Sequence, residues 1–562
     1  MDVAFNQVRF ACVSGIEKYA ENGAKLISIL ASRDGSYKTN LGIQEDYSYH
    51  FHGHGINMGY GRFMLRMVSR FIYITAGTKF SLPEKSLEYN QDWFRKFIIF
   101  NSFKGHVSPF TIGRSISRDK AVIKPVELEA AMFLYLSEGS SCKDLALSFI
   151  KEWYDAMPGE AFYNTTIAAL APKIEPDLEK AEPMPTGVRF YPASDYLAAR
   201  MGKFYTAVLM SSKRTKAWHS IRDENIRGHR SGDGTLVVMT DGHEFDNNII
   251  PTMDWYNPSG VTVARKVRAR SEHDGYATVV GGLAHRNITG MAGMDFVIKN
   301  GERILEARKS YTVTPRGIVL AGTRIRCSNL EKEKTFQTSL HQCPLRDRDT
   351  RLIVDGKTMP IRDGSQMLTV KKWMHVRNYG YIFPEPTEVR LRITTTERDY
   401  TYINRRYGTK TKYKARFYTL FKNHDAGKDD NTYSVIIIPE ISPDQMKQTV
   451  TDAFLELQCR TESLHVIADK AARTKHFYFF EKGGNKGFTA SRPLFFSVSQ
   501  DDNHLYATLQ DPSHAGGEVV FGVPFRVSST GRGVQVKSTG KSSEVRVNLD
   551  KGWSRELTFS IR

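Results

Sequence analysis

The sequence predicts an α+β multidomain protein, a helical N-terminal part followed by antiparallel β structure, and three observations predict it. Apolar residues recur at three- and four-residue spacing up to about residue 171. A charged, proline-rich stretch follows. Short β-branched and aromatic runs bounded by Gly, Pro, Asn or Asp fill the remainder. At 562 residues the chain is long enough for three or four domains, each with a substantial core.

GRFMLRMVSRFIYITAG, VELEAAMFLYLSEGS and CKDLALSFIKEWYDAM read as amphipathic helices separated by loops rich in Gly, Ser and Pro. The segment PKIEPDLEKAEPMP, Pro172 to Pro185, carries four prolines among charges and reads as an interdomain linker, with a boundary near residue 180. TLVVMT, GVTVARKV, RGIVLAGTRI, EVRLRITTT and YSVIIIP then read as strands of a large antiparallel domain. The turn Ile441-Ser442-Pro443-Asp444 precedes a short helix, and PLFFSVSQ, HLYATLQ, GEVVFGV and SEVRVNL close the chain as a smaller β unit. The expected divisions are a helical domain over 1–178, a large β domain over 186–440 and a C-terminal β domain over 441–562.

A formal charge of +18 and a pI near 9.4 favour a polyanionic partner, with 79 Lys and Arg against 61 Asp and Glu spread over a mixed surface. Basic residues come singly or in pairs such as Lys371-Lys372 and Arg405-Arg406, without a nucleic-acid motif, so an anionic glycan fits better than nucleic acid. The five cysteines form no CxxC pair and are odd in number, which indicates neither a zinc site nor a disulfide framework. No apolar run approaches a membrane span of roughly 18 residues. The opening residues lack a basic region followed by an apolar one, so no signal peptide is expected in the chain as given. The expected state is a monomer with no nucleic-acid or membrane partner.

The stretch RDGSYKTNLGIQEDYSYHFHGHGINMGYG, Arg33 to Gly61, concentrates the chemistry. Its glycines allow close backbone approach to a ligand, while His52 and Tyr60 supply an imidazole and a phenol suited to proton transfer. His50, His52 and His54 would share one face of a strand, but no carboxylate partner stands at a diagnostic metal spacing, so a polar or substrate-facing loop is the better reading. On residues alone, Tyr60 could also simply open an amphipathic helix, Arg114 and Arg118 could be solvated helix residues, and Glu224-Asn225 could cap a turn.

Asp46-Tyr47-Ser48-Tyr49, His52-Gly53 and Tyr60-Gly61 are followed in order by Gly113-Arg114-Ser115-Ile116-Ser117-Arg118, Met210-Ser211-Ser212-Lys213-Arg214 and Glu224-Asn225-Ile226-Arg227-Gly228. This series resembles polysaccharide lyase family 8, the family of chondroitin AC, hyaluronate and xanthan lyases. Weaker echoes continue to Tyr433-Ser434-Val435-Ile436, and the specificity lies in the order. The resemblance implies an incomplete α/α toroid, a central β-sandwich and a small C-terminal β-sandwich. It implies a carbon-oxygen lyase that cleaves uronate-containing glycans, chondroitin sulfate or hyaluronan first, by β-elimination. No cofactor is required, calcium is optional, and the location is extracellular or periplasmic.

In that mechanism Tyr60 is the general base, with return of a proton to the leaving oxygen as a second task. A tyrosine ordinarily titrates near pH 10, so Arg114 and Arg118 are expected to favour its phenolate. His52 contacts the substrate carboxylate or assists as base, and Glu224 orients the His and Tyr pair. Arg114 and Arg118, four residues apart, share one face if their segment is helical and hold a sulfate or carboxylate. His54, Asn57, Asn225 and Trp93 are the expected substrate-binding residues.

Two features depart from the family. His52 and Tyr60 are eight residues apart, one fewer than expected, and the family's Asn-Trp-Trp segment has no counterpart. The chain therefore reads as a member lacking the N-terminal part of the toroid, with apolar helix faces left uncovered. The alternative function is a non-catalytic or truncated glycan-binding remnant.

Overall fold

The computed structural model describes residues 2–30, 41–51, 53, 55–159, 164–264, 275–328, 335–346, 349, 351–529 and 531–562, without the side chains of Asp2 and Leu30. The helical part comprises α1 (Asp2–Ser14), α2 (Glu17–Leu30), α3 (Met58–Thr75), α4 (Glu84–Trp93), α5 (Val126–Leu136), α6 (Lys143–Ala156) and α7 (Thr165–Leu170). The three helices expected from periodicity are α3, α5 and α6. On α3 the spacing places Met64, Leu65, Val68, Phe71 and Ile72 in the core, whereas α5 is buried almost all round. The buried Arg62 of α3 grips Glu127 of α5 through Nε at 2.9 Å and Nη2 at 2.8 Å, which fixes the register of the two helices. The hairpin of α1 and α2 buries Ala4, Phe5 and Val8 but leaves Val3, Phe10, Val13, Leu26 and Ile29 exposed, Val13 at 88%.

The stretch expected as a linker is ordered. Ala171–Lys173 and Glu175–Lys180 form 3₁₀ turns with proline in the first turn of each. Ile174 is buried and Tyr135 of α5 donates to Asp177 at 2.6 Å, so the segment belongs to the helical layer. The first long strand begins at Gly187.

All paired strands among the described residues run antiparallel within their sheets. A four-stranded meander, Gly187–Tyr191, Tyr196–Arg200, Tyr205–Met210 and Asp233–Met239, lies between the helices and the rest of the β structure. Successive side chains point to opposite faces, so Val237 and Met239 join the helical core while Leu236 and Val238 join the β core. That two-sided burial explains the unbroken apolar run TLVVM. A nine-stranded sheet extends from Val280–His285 through Gly317–Cys327 and Asn431–Pro439 to Lys357–Pro360, and shares its core with a five-stranded sheet that includes Thr335–Leu345, Thr387–Arg398 and Tyr413–Asp425. Of GVTVARKV only Thr262–Val263 forms a strand within the described residues.

The short helix after the Ile441 turn is α8 (Pro443–Asp452), started by a capping box in which Ser442 Oγ accepts from the Gln445 amide and Gln445 Oε1 from the Ser442 amide. Seven-stranded and five-stranded sheets then enclose a phenylalanine-rich core that includes Phe477, Phe479, Phe496, Phe521 and Phe559.

Candidate active site

Tyr60 lies in the first turn of α3, after the N-cap Asn57. Two glycines let this turn meet the 3₁₀ segment Pro109–Ser117 almost backbone to backbone. A Cβ on Gly59 would stand 2.5 Å from the Ile112 carbonyl, and one on Gly113 would stand 2.9 Å from Asn57 Oδ1. Gly113 also has φ +58, a conformation glycine adopts without strain. The next residue, Arg114, donates from Nη2 to the Tyr60 phenol oxygen at 2.5 Å and stands 5.4 Å from the ring centroid. Phe51 stacks on the same ring at 4.1 Å and sets its plane. A guanidinium only donates, so the Tyr60 oxygen accepts and its own proton is directed elsewhere.

Glu224 comes from the β side on a tight loop in which Arg222, Asp223 and Asn225 all have left-handed φ of +48, +66 and +56. Such backbone persists only where surroundings hold it. Here the Ile226 amide donates to Ile403 O at 3.1 Å, the Arg405 amide to Asp223 O at 3.0 Å, and the Asn225 amide to Ser117 Oγ at 3.1 Å. The buried Glu224 accepts from Arg118 through Nε and Nη2, both at 2.7 Å, and lies 3.4 Å from Arg114 Nε. Tyr60, Arg114, Arg118 and Glu224 thus form one connected group spanning helical and β parts.

The expectation that both arginines ride one helical face is corrected. Gly113 breaks the segment with ψ −143, and Arg118 is extended at φ −102, ψ 140. The arginines converge because a buried carboxylate draws them together. Arg118 remains 41% exposed and lies 5.7 Å from the ring centroid of the exposed Tyr407. Arg227 packs on Tyr402 at 4.7 Å. The Lys124 ammonium is held below its ordinary range by burial and by Arg62 and Arg118. The charge gathered here is cationic, as a site for an anion requires.

His52 and His54 lie outside the described residues. His50 is buried, with Nε2 2.8 Å from Ser194 Oγ in a chain that continues through Ser48 to Asp46, so it braces the loop. Burial lifts the Asp46 carboxyl above its usual range despite hydrogen bonds from Ser48 and Ala193. Three further expectations change. Trp93 has 0% exposure and stacks on Tyr49 at 5.7 Å, so it is core and presents no face to a sugar. Asn57 is a buried wedge between Gly59 and Gly113. Asn225 is buried, with Nδ2 donating to His219 O at 2.8 Å beside a cavity of only about 20 Å³, too small for a sugar ring.

Lys216 and His219 also reach the site. A Cβ on Gly53 would meet Lys216 at 2.9 Å and one on Gly55 would meet His219 at the same distance. The Met210 to Arg214 motif builds the turn preceding them: Ser212 Oγ, Thr215 Oγ1 and Arg214 Nη2 all donate to the buried Asp195, at 2.6, 2.7 and 2.9 Å. The spacing of that motif from Lys216 and His219 was the available signal. Nothing local marks Phe51 or Tyr407.

The family model described as polysaccharide lyase family 8, N terminal alpha-helical domain, matches residues 34–143, and the super-sandwich domain model of the same family matches residues 186–450. A hyaluronate lyase of Enterococcus faecalis is 23% identical over 521 residues, which cover 86% of this chain and 51% of that protein. A xanthan lyase of Bacillus sp. (strain GL1) is 24% identical over 531 residues, covering 90% and 56%. The chain therefore spans little more than half the length of these relatives. The Paenibacillus xanthan lyase structure superimposes with a TM-score of 0.91 at 18% identity, over 100% of this chain and 55% of that one. The Streptomyces coelicolor A3 chondroitin AC lyase in complex with chondroitin sulphate gives 0.83 at 18%, over 100% and 77%. These two likenesses concern the fold. With two models of one family matching in order over more than half of its length, the chain belongs to polysaccharide lyase family 8.

Proposed function

We propose that this protein is a carbon-oxygen lyase that cleaves uronate-containing anionic polysaccharides by β-elimination, with chondroitin sulfate and hyaluronan as first substrates. The observation that carries the reading is the Tyr60 phenol held by Arg114, which shares the buried Glu224 with Arg118. Elimination removes the proton at C5 of the uronate and expels the oxygen at C4. Tyr60, having given its O–H proton to solvent, takes the C5 proton as a phenolate and passes a proton to the departing C4 oxygen, which restores the phenolate, and Arg114 stabilises the negative charge on the phenol oxygen before and after the transfer. The exposed guanidinium edge of Arg118 binds the sugar's carboxylate or sulfate. His52 assists at the carboxylate, a role drawn from the family resemblance alone.

Glu224 fixes both arginines and lowers the cost of gathering two cations. The reaction needs no cofactor. In the same reading the helices form an open α/α toroid against layered β-sandwiches, and the enzyme acts outside the cytoplasm on extended glycan. Among the described residues no helix is long and apolar enough to cross a membrane.

The test is ultraviolet absorbance during incubation with chondroitin sulfate, hyaluronan and xanthan, because elimination leaves a C4–C5 double bond conjugated to the carboxylate. Absorbance should rise with the wild type, and Tyr60→Phe should lose about 10²–10⁴ in rate while still binding glycan. Equal rates in wild type and variant would exclude Tyr60 as the base. Salt-sensitive binding with no absorbance change would establish the second reading, a non-catalytic glycan-binding remnant.

A further inference from the structure

A second cluster of chemistry-bearing side chains lies on the joint between the helical and β parts. His106 belongs to the short strand His106–Val107, just before the segment that carries Arg114, whereas His243 and Asp246 belong to the β side. Their ligating atoms lie within 4.8 Å of one another. His106 Nε2 is 2.8 Å from Asp246 Oδ1, and His243 Nδ1 is 2.8 Å from Asp246 Oδ2.

The other nitrogen of His106, Nδ1, is 2.9 Å from the Lys104 carbonyl oxygen. A carbonyl only accepts, so Nδ1 carries the hydrogen, and a neutral imidazole would direct its Nε2 lone pair at a carboxylate oxygen. Either a second proton on Nε2 or a metal ion between the two atoms removes that conflict, and the second histidine on the same carboxylate favours the ion. A ring N–H donated to a backbone carbonyl is also the outer contact that orients a metal-binding histidine.

The surroundings are shaped for this arrangement. Gly242 has φ +92, and a Cβ there would stand 2.3 Å from His106 Nδ1, so the turn admits the ring only because residue 242 is glycine. The buried Glu244 accepts from the Thr240 and Gly242 amides, both at 3.1 Å, which fixes the turn that presents His243 and Asp246. His243 also lines an open pocket of about 590 Å³ together with Lys104, Glu152 and Asp241, which gives an ion a route in and leaves room for further ligands.

We propose that His106, His243 and Asp246 form a transition-metal site, of the kind that takes Zn²⁺, Co²⁺ or Ni²⁺, which clips the helical part to the β part beside the Arg114 segment. Two imidazoles and one carboxylate suit these ions, whereas Ca²⁺ requires oxygen ligands throughout. Ligands about 2.0–2.2 Å from a tetrahedral ion stand about 3.3 Å apart, so the 2.8 Å contacts open by about half an ångström on loading. The role is structural and does not depend on the proposed elimination. Phe110 packs edge-on against Phe245 at 6.3 Å, and the clip would hold that contact.

The experiment uses the full chain, stripped with chelator, equilibrated with Zn²⁺ by dialysis and analysed for bound metal, with Co²⁺ absorption as a second readout. The wild type should retain about one ion per chain and show the visible bands of low-symmetry Co²⁺ that excess Zn²⁺ removes. Its metal-dependent thermal midpoint should rise by a few degrees. His243→Ala and Asp246→Asn should lose the ion, the bands and the thermal rise. The His243 side chain is 49% exposed, so its removal leaves the core intact, and an unchanged metal-free midpoint checks this. Less than about 0.2 ion per wild-type chain, or equal retention by both variants, overturns the site and leaves a hydrogen-bonded latch.

Discussion

The central β structure meets the rest of the molecule along two joints that differ in where their charge sits. Toward the helices an apolar layer that includes Tyr196, Val237 and Met239 is accompanied by ionic or strongly polar contacts: Arg114 and Arg118 on Glu224, Arg200 on Glu152, Lys104 on the Thr240 carbonyl, and His106 on Asp246. Toward the C-terminal unit the central contacts are neutral. His285 meets Ser499 and Thr508, both at 2.8 Å, His465 meets Ser310 at 2.8 Å and Thr323 at 2.9 Å, and Tyr478 meets Thr312 at 2.7 Å. An apolar layer of Leu283, Met291, Trp373, Ile436, Met446 and Phe495 surrounds them, with ion pairs such as Arg308–Glu481 beside it. Buried charge gathers at the candidate site on the first joint, whereas neutral hydrogen bonds and apolar contacts hold the centre of the second, with ion pairs such as Arg308–Glu481 and Arg316–Asp469 alongside. A chain can therefore gather cations at one domain boundary while a second boundary supplies rigidity.

Acid should act on the neutral joint and on the β core beside it, where burial likewise pushes His341 and His424 down to about 3. Burial pushes His285 down to about 4, and His465 and His476 down to about 3, from an ordinary value near 6.5. Between these limits the unfolded chain binds more protons than the folded one, so stability is complete above about pH 6.5 and is lost as pH falls toward 4. Each histidine contributes about 1.4 kcal/mol per pH unit in that window, several kcal/mol together by pH 5. Thermal midpoints measured from pH 7.5 to 5 should fall steeply, and His465→Gln should flatten the slope. A flat profile would remove the contrast between the joints.

The next largest effect belongs to the charged joint. Glu224→Gln keeps the shape but leaves Arg114 and Arg118 facing one another without their carboxylate, and the elimination rate should drop about 10²–10³. The acid profile of the C-terminal unit should not change. Activity within threefold of wild type would show that the arginines are positioned by something else.

Gly113→Ala sharpens the comparison at the smallest scale. Its left-handed φ and the 2.9 Å approach to Asn57 should cost about 1–2 kcal/mol. Because the strain falls between Tyr60 and Arg114, kcat should fall more than glycan affinity. A midpoint shift without any change in kcat would place the glycine in stability alone.

Much of this was legible before folding, for local reasons. The amphipathic spacing of α3 and α6, the strands at TLVVM and YSVIIIP, and the capping box of α8 are each written within one turn or one strand. The site was legible as ordered motifs, and Tyr60, Arg114, Arg118 and Glu224 do come together. What the residues could not reveal was exposure. Trp93, Asn57 and Asn225 are polar or aromatic residues beside a site, and only packing shows that they face inward. Proline density likewise signals turns without telling whether they stand free, and here they fold onto α5.

By itself, then, the sequence determined the order of helix and strand, the cationic excess and the chemical types at the site, because periodicity, composition and motif spacing act over a few residues. Tertiary structure alone decided that Glu224, 106 residues beyond Arg118, closes on two arginines, and that His106 meets Asp246 across 140 residues. Such contacts depend on where whole layers dock, and docking is set by the summed burial of many side chains rather than by any short stretch of chain.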